Sequence, residues 1–137
     1  MKKVLFVCQA NVGRSQMAEA FYNYLTESEN AISAGAQDFR EKYHHHPTLE
    51  IIKSMEEKGI DISRQKIKVV DRQMCEQAER IVVLCHRSFC ADYILNDPKT
   101  TYLPIQDPHQ QKLETINRIR DQIEELIKSL IGYPTKP

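Results

Sequence analysis

Four consecutive apolar residues, Val4-Leu5-Phe6-Val7, end in a cysteine and lead within a few residues into a helical pattern. A strand wetted on one face alternates apolar and polar residues. An unbroken run therefore reads as a strand buried on both faces, as in a parallel sheet. Ile81-Val82-Val83-Leu84 carries the same signature. Ala31 to Ala34 and Thr101 to Ile105 are shorter candidates, and Pro104 suggests an edge for the last of them. Between these runs the spacing is helical. Met17, Ala18, Phe21, Tyr24 and Leu25 share one face of a first helix capped near Ser15. Pro47 pre-sets the first turn of a second, with Leu49, Ile52 and Met55 inward and Gly59 as its stop. Asp71 caps a short helix through Ala78. Leu113, Ile116, Ile119, Ile123, Leu126 and Leu130 form the stripe of a long last helix, whose charged residues read as a solvated face. Strands alternating with helices predict an open α/β sheet with right-handed crossovers and a ligand site beyond the carboxyl ends of the strands. Cys8 and Cys85 each follow a strand, so both are expected at that edge.

The segment Cys8-Gln9-Ala10-Asn11-Val12-Gly13-Arg14-Ser15 joins the first strand to the first helix. Backbone amides from Gln9 to Ser15, the positive end of the helix dipole and the Arg14 guanidinium all point at one spot. Such a spot binds a tetrahedral oxyanion, and the same field favours the ionised form of the Cys8 thiol. Arg14 grips two oxygens with its planar fork, as a lysine cannot. The Ser15 hydroxyl donates to the sulfur, and Gly13 lets the loop turn tightly. Cys8 is thus a candidate nucleophile seated in its own anion cradle. Asp107, held extended by Pro108, is the candidate general acid and base, although Asp97-Pro98 shows how common the dipeptide is.

Composition narrows the surroundings of this site. Nineteen basic and nineteen acidic residues cancel, so no global field favours nucleic acid or an anionic membrane. No apolar stretch approaches the roughly 20 residues that span a bilayer, and the run before Cys8 is too short for a signal-peptide core. A cytoplasmic location is expected, with Cys8, Cys75, Cys85 and Cys90 as reduced thiols. Cys75 reads as a packing residue. The expected organisation is one domain over residues 1–131 and a loose tail over 132–137. His44-His45-His46 lacks the paired ligand spacing of a zinc site, so neither metal nor cofactor is expected.

The loop, its extension through Gln16-Met17-Ala18-Glu19, and Ile32-Ser33-Ala34-Gly35, His46-Pro47, Gly59-Ile60-Asp61-Ile62-Ser63 and Asp107-Pro108 together resemble one family. It comprises the low-molecular-weight protein tyrosine phosphatases and the thioredoxin-coupled arsenate reductases that share their fold. The resemblance implies a three-layer sandwich around a four-stranded parallel sheet of order 2-1-3-4. It also implies that Asn11 braces the loop. Two positions depart from the family pattern. Ala10 stands where glycine is usual, which strains the loop if that residue needs positive φ. Gly13 stands where a second cysteine often precedes the arginine, so Cys8 has no partner thiol within the loop.

The resemblance leaves two reactions open. Hydrolysis of a phosphomonoester, on a phosphorylated protein or a small aryl phosphate, needs only Cys8, Arg14 and Asp107 and proceeds through a phosphocysteine. It is the first expectation. Arsenate mimics phosphate, and its reduction needs further thiols that leave as a disulfide, with thioredoxin as redox partner. Cys85 and Cys90 resemble the reductases' downstream pair, although only four residues separate them. Gln16 favours the reductases, since the phosphatases commonly have proline there. Tyr43, in the loop after the second strand, reads first as a surface tyrosine and second as a wall of the substrate cleft, and Gln37, Asp38 and Phe39 leave the same two readings open.

Overall fold

A computed structural model describes residues 2–134. Four strands, β1 (Lys2–Cys8), β2 (Ala31–Gly35), β3 (Ala78–Val83) and β4 (Thr100–Tyr102), form an all-parallel sheet of order β2-β1-β3-β4. Five helices connect and cover them: α1 (Arg14–Thr26), α2 (Leu49–Glu56), α3 (Arg72–Gln77), α4 (Asp92–Leu95) and α5 (Leu113–Ile131). The short β4 lies at an edge and ends at Tyr102, so Pro104 falls beyond the ladder rather than inside it.

The unbroken apolar runs have the predicted cause. Val4 and Phe6 face a core layer built with Met17 and Phe21 of α1 and Ile116, Ile119, Ile123 and Ile127 of α5. Leu5 and Val7 face a second layer with Cys75 of α3 and Ile94 of α4. The alternation continues through β3 and past its end: Val82 and Leu84 join the first layer, Ile81, Val83 and Cys85 the second. Cys8 and Cys85 thus both lie at the carboxyl edge of neighbouring strands. Each side chain in these runs is withdrawn from water, worth roughly 1.5–3 kcal/mol per large aliphatic residue.

Helix ends account for most of the differences from expectation. Helix α1 begins at Arg14 with Gly13 at its N-cap and no side-chain cap, so Ser15 lies inside the first turn. Pro47 sits outside α2, before the N-cap Thr48. Gly59, with φ of 78°, turns the chain after α2, and the Ile60 amide closes back on the Met55 carbonyl at 3.1 Å. Asp71 caps α3 by accepting from the Met74 amide at 2.8 Å. Tyr24, Leu49 and Leu113, expected inward, are exposed, and each lies in the first or last turn of its helix. Tyr22 is buried in place of Tyr24, edge-on to Phe6.

Arg120 departs from the solvated side expected for α5. It is buried and donates to the Ser54 carbonyl at 2.8 Å, with Glu57 and Asp121 completing its pairing. It ties α2 to α5. Gly132, at φ of 68°, ends α5, and Tyr133 beyond it is exposed. The remainder of the expected tail, residues 135–137, lies outside the described residues. Among the described residues no helix is long and apolar enough to cross a membrane.

Candidate active site

Cys8 is the last residue of β1, and its sulfur is held by the loop that follows. The Asn11 amide donates to Sγ at 3.3 Å, and Ser15 Oγ lies 2.9 Å away. Asn11 Nδ2 donates to the same Ser15 oxygen at 2.7 Å, which leaves the hydroxyl hydrogen for the sulfur. Two donors therefore converge on Sγ. Asn11 adopts φ of 61°, a conformation asparagine tolerates better than most residues. The left-handed residue is thus Asn11 rather than Ala10, and the alanine imposes no strain of that kind.

Asn11 is fully buried and uses its whole amide. Its Nδ2 also donates to Ser33 Oγ at 2.9 Å, while its Oδ1 accepts from Gln16 Nε2 at 3.0 Å and the Lys68 amide at 2.8 Å. Ser33 passes the chain of bonds to Glu19 at 2.8 Å, and Lys68 Nζ faces the same carboxylate at 3.5 Å. Gln16 further donates to the Asn11 and Lys66 carbonyls. The loop is pinned from α1, β2 and the 65–68 segment together, and each buried polar group in it is matched.

Gly35 stands opposite Cys8 in the sheet register. A Cβ there would lie 3.0 Å from the Ala10 carbonyl carbon and 3.1 Å from the Gln9 carbonyl oxygen. The Ala36 amide bonds to the Cys8 carbonyl at 2.7 Å and the Gln37 amide to that of Gln9 at 3.0 Å. The end of β2 is therefore the backing plate of the loop. Gly13 sits in a tight place: a Cβ would come within 3.2 Å of the Pro108 side chain and 3.4 Å of Ile51.

Arg14 is buried at the start of α1 and gives one donor, Nη1, to the Ile105 carbonyl at 3.0 Å. Its Nη2 lies 3.9 Å from Asp107 Oδ2. Asp107 is half exposed, and its Oδ1 accepts from the His109 amide at 2.9 Å. Cys8, Gln9, Ala10, Val12, Gly13, Arg14 and Asp107 line one cleft of about 550 Å³. Its far wall carries Phe39, Lys42, Tyr43 and His109, with Tyr43 packed between the other two rings. Asn11 and Ser15 lie behind this lining.

Cys85 and Cys90 are buried on the second-layer side of the sheet, in the same cluster as Cys8 and Cys75. A single 3-10 turn, Arg87–Phe89, reverses the chain between them. The two thiols influence each other, and this interaction together with burial pushes the Cys85 thiol up while it favours the ionised form of Cys90. Burial pushes the Cys75 thiol up.

Sequence reasoning did not assign roles to Ser33, Gly35, Gln65 or Lys68, nor to Lys42 in the cleft wall. Ser33 and Gly35 lay within a segment shared with the family. The bracing bonds of Gln65 and Lys68 join segments some fifty residues apart and leave no local pattern. Among the described residues no three histidine, cysteine or acidic side chains converge as a metal-binding group.

Known proteins resemble the chain over nearly its full length. It is 35% identical over 137 residues to the glutaredoxin arsenate reductase of Synechocystis, covering 96% of this chain and 98% of that protein. The arsenate reductase of Archaeoglobus fulgidus superposes with a TM-score of 0.78 at 32% identity, over 95% of this chain and 99% of the other. The low molecular weight protein tyrosine phosphatase of T. tengcongensis shares the fold, with a TM-score of 0.80 at 21% identity over 98% and 100%. With residues 3–135 also matching the family profile as a whole, this chain belongs to the low molecular weight phosphotyrosine protein phosphatase family.

Proposed function

We propose that the protein is a thiol-dependent arsenate reductase with Cys8 as nucleophile and Cys85 and Cys90 as the electron source. The observation that carries this reading is that Cys85 and Cys90 are buried in one cluster with Cys8. Phosphoester hydrolysis has no use for such a pair. Despite the short spacing, both cysteines belong to that one cluster, with a 3-10 turn over Arg87–Phe89 between them. Relatives at 32–35% identity bear the arsenate reductase name, which supports the same choice.

Arg14 and the loop amides hold three arsenate oxygens while Cys8 Sγ attacks arsenic and a hydroxyl leaves as water. The Cys90 thiolate then attacks Cys8 Sγ. The sulfur–arsenic bond breaks, its electron pair stays on arsenic, and As(V) departs as As(III) while a Cys8–Cys90 disulfide forms. Cys85 attacks Cys90 Sγ, frees Cys8, and leaves a Cys85–Cys90 disulfide for an external dithiol of the thioredoxin or glutaredoxin kind. Arsenate turnover with each reductant tests this. Cys90→Ser is expected to abolish turnover, and Cys85→Ser to stop after one, with Cys8 and Cys90 cross-linked. Undetectable turnover in the native protein, or full turnover in Cys85→Ser/Cys90→Ser, overturns the proposal.

A second reading rests on Asp107. A half-exposed carboxylate beside Arg14, on the rim of a cleft larger than an inorganic oxyanion needs, is suited to protonate an aryl leaving group. Phosphomonoester hydrolysis through a phosphocysteine on Cys8 is its reaction, with a phosphorylated protein or small aryl phosphate as substrate. Hydrolysis of p-nitrophenyl phosphate, lost in Cys8→Ser, tests it.

A further inference from the structure

We propose that the sulfur cluster gives the protein a second redox activity, dithiol-dependent reduction of hydroperoxides, with Cys8 as the attacking thiol and Cys90 and Cys85 as the resolving pair. It shares its thiols with arsenate reduction but needs no oxyanion.

Cys8 lines a cleft of about 550 Å³, ample for a molecule the size of hydrogen peroxide. Donors from Asn11 and Ser15 converge on its sulfur. A cysteine oxidised there to a sulfenic acid proceeds to the irreversible sulfinic acid unless another thiol condenses with it first. Residues 9–15 contain no cysteine, so nothing on the cleft side of Cys8 can intercept the sulfenic acid. The interceptors lie behind it. Cys75, Cys85 and Cys90 share the buried cluster with Cys8, and charges on Cys8 and Cys75 both bear on Cys90. Of the three, Cys90 is the one whose ionised form is favoured, through its interaction with Cys85, whereas burial pushes the Cys75 thiol up. A single buried cysteine is ordinary packing. Two thiols buried in one cluster with a cleft-lining thiol are acceptors for its oxidised form.

Cys8 Sγ attacks one peroxide oxygen, the O–O bond breaks, and the leaving hydroxide takes a proton to become water. The Cys90 thiolate then attacks the Cys8 sulfur, the S–O bond breaks, and a second water leaves as the Cys8–Cys90 disulfide forms. Cys85 attacks Cys90, restoring Cys8 and leaving the Cys85–Cys90 disulfide. An external dithiol reduces it, so each cycle converts one peroxide and one dithiol into two waters and one disulfide.

The test uses the reduced full chain, hydrogen peroxide, and thioredoxin recycled by its reductase, without arsenate. Steady peroxide consumption is expected, and without the reductant the protein should lose two hydrogens, with the disulfide mapping to Cys85 and Cys90. In Cys85→Ser/Cys90→Ser, consumption should stop after about two peroxides per chain, as Cys8 gains two oxygens at least roughly tenfold faster than in the native protein. Cys90→Ala alone, with its melting curve, serves if the double variant does not fold. The proposal is overturned if native Cys8 becomes sulfinic acid as fast as in the variants. It is equally overturned if Cys8→Ser forms the Cys85–Cys90 disulfide at the native rate. Arsenate turnover in the same preparations separates the two ideas: its absence with peroxide cycling intact removes only the arsenate reading, and the reverse removes only this one.

Discussion

Replacing Gly35 by alanine perturbs the active-site loop from behind, without altering any side chain of the cleft. The added Cβ meets backbone on three sides: the Ala10 carbonyl carbon and Gln37 oxygen at 3.0 Å and the Gln9 oxygen at 3.1 Å. Ordinary contact begins near 3.4 Å, so the loop and strand must part by about 0.4 Å, and no flexible side chain can yield instead. Gly35 has no positive φ, so the cost is steric and not conformational. Overpacking of this kind costs about 1–3 kcal/mol. At roughly 3–4 °C per kcal/mol for a chain of this length, the melting temperature should fall by about 3–12 °C. The push falls on the amides proposed to cradle the oxyanion. With about a hundredfold lost per ångström of misplacement, turnover should fall roughly three- to tenfold, for arsenate and aryl phosphate alike. Gly59→Ala is the control: its Cβ meets nothing within 4 Å, but φ of 78° costs about 1 kcal/mol, so it should melt lower with unchanged turnover. Differential scanning calorimetry and initial rates on both variants decide the matter. A Gly35→Ala protein with native melting and native rates would refute the claim that β2 supports the loop.

Two further outcomes follow from the geometry. Asp107→Asn should lower aryl-phosphate hydrolysis by about 10²–10⁴-fold and leave arsenate reduction within severalfold, measured as rates on the two substrates. Stability should decline as pH rises past the ordinary thiol value of 9.0: unfolded Cys75 ionises there while burial keeps the folded thiol protonated, so folding loses its advantage. Cys75→Val should flatten this alkaline loss in urea melts at stepped pH while sparing arsenate turnover, and a limb as steep as the native one would contradict it.

The sequence carried the parallel sheet because burial on both faces writes itself as an unbroken run, as in Val4–Val7 and Ile81–Leu84. It carried the loop for a similar reason: strand, thiol, arginine and helix start are contiguous, so local chemistry suffices. Where helices end, periodicity misleads. Leu49 and Leu113 have the right spacing, yet each is the first residue of its helix and is exposed. The 3-10 turn and four-residue α4 are too short for periodicity to register. Arg120 looked like a surface charge because its carbonyl partner, Ser54, lies 66 positions away. The bracing of Asn11 by Lys68 spans 57 positions and is invisible for the same reason.

The bond from Arg14 to the Ile105 carbonyl has an implication for dissecting this enzyme. Ile105 lies two residues before Asp107, so the guanidinium proposed to receive the anion also moors the chain that bears the proposed acid. On that reading a substitution at position 14 removes a grip and slackens a tether in one stroke, and the deficit it causes cannot be apportioned between them. The converse also holds: drift of the segment around Ile105 is felt at once by Arg14, so the two proposed roles are mechanically linked before a substrate arrives.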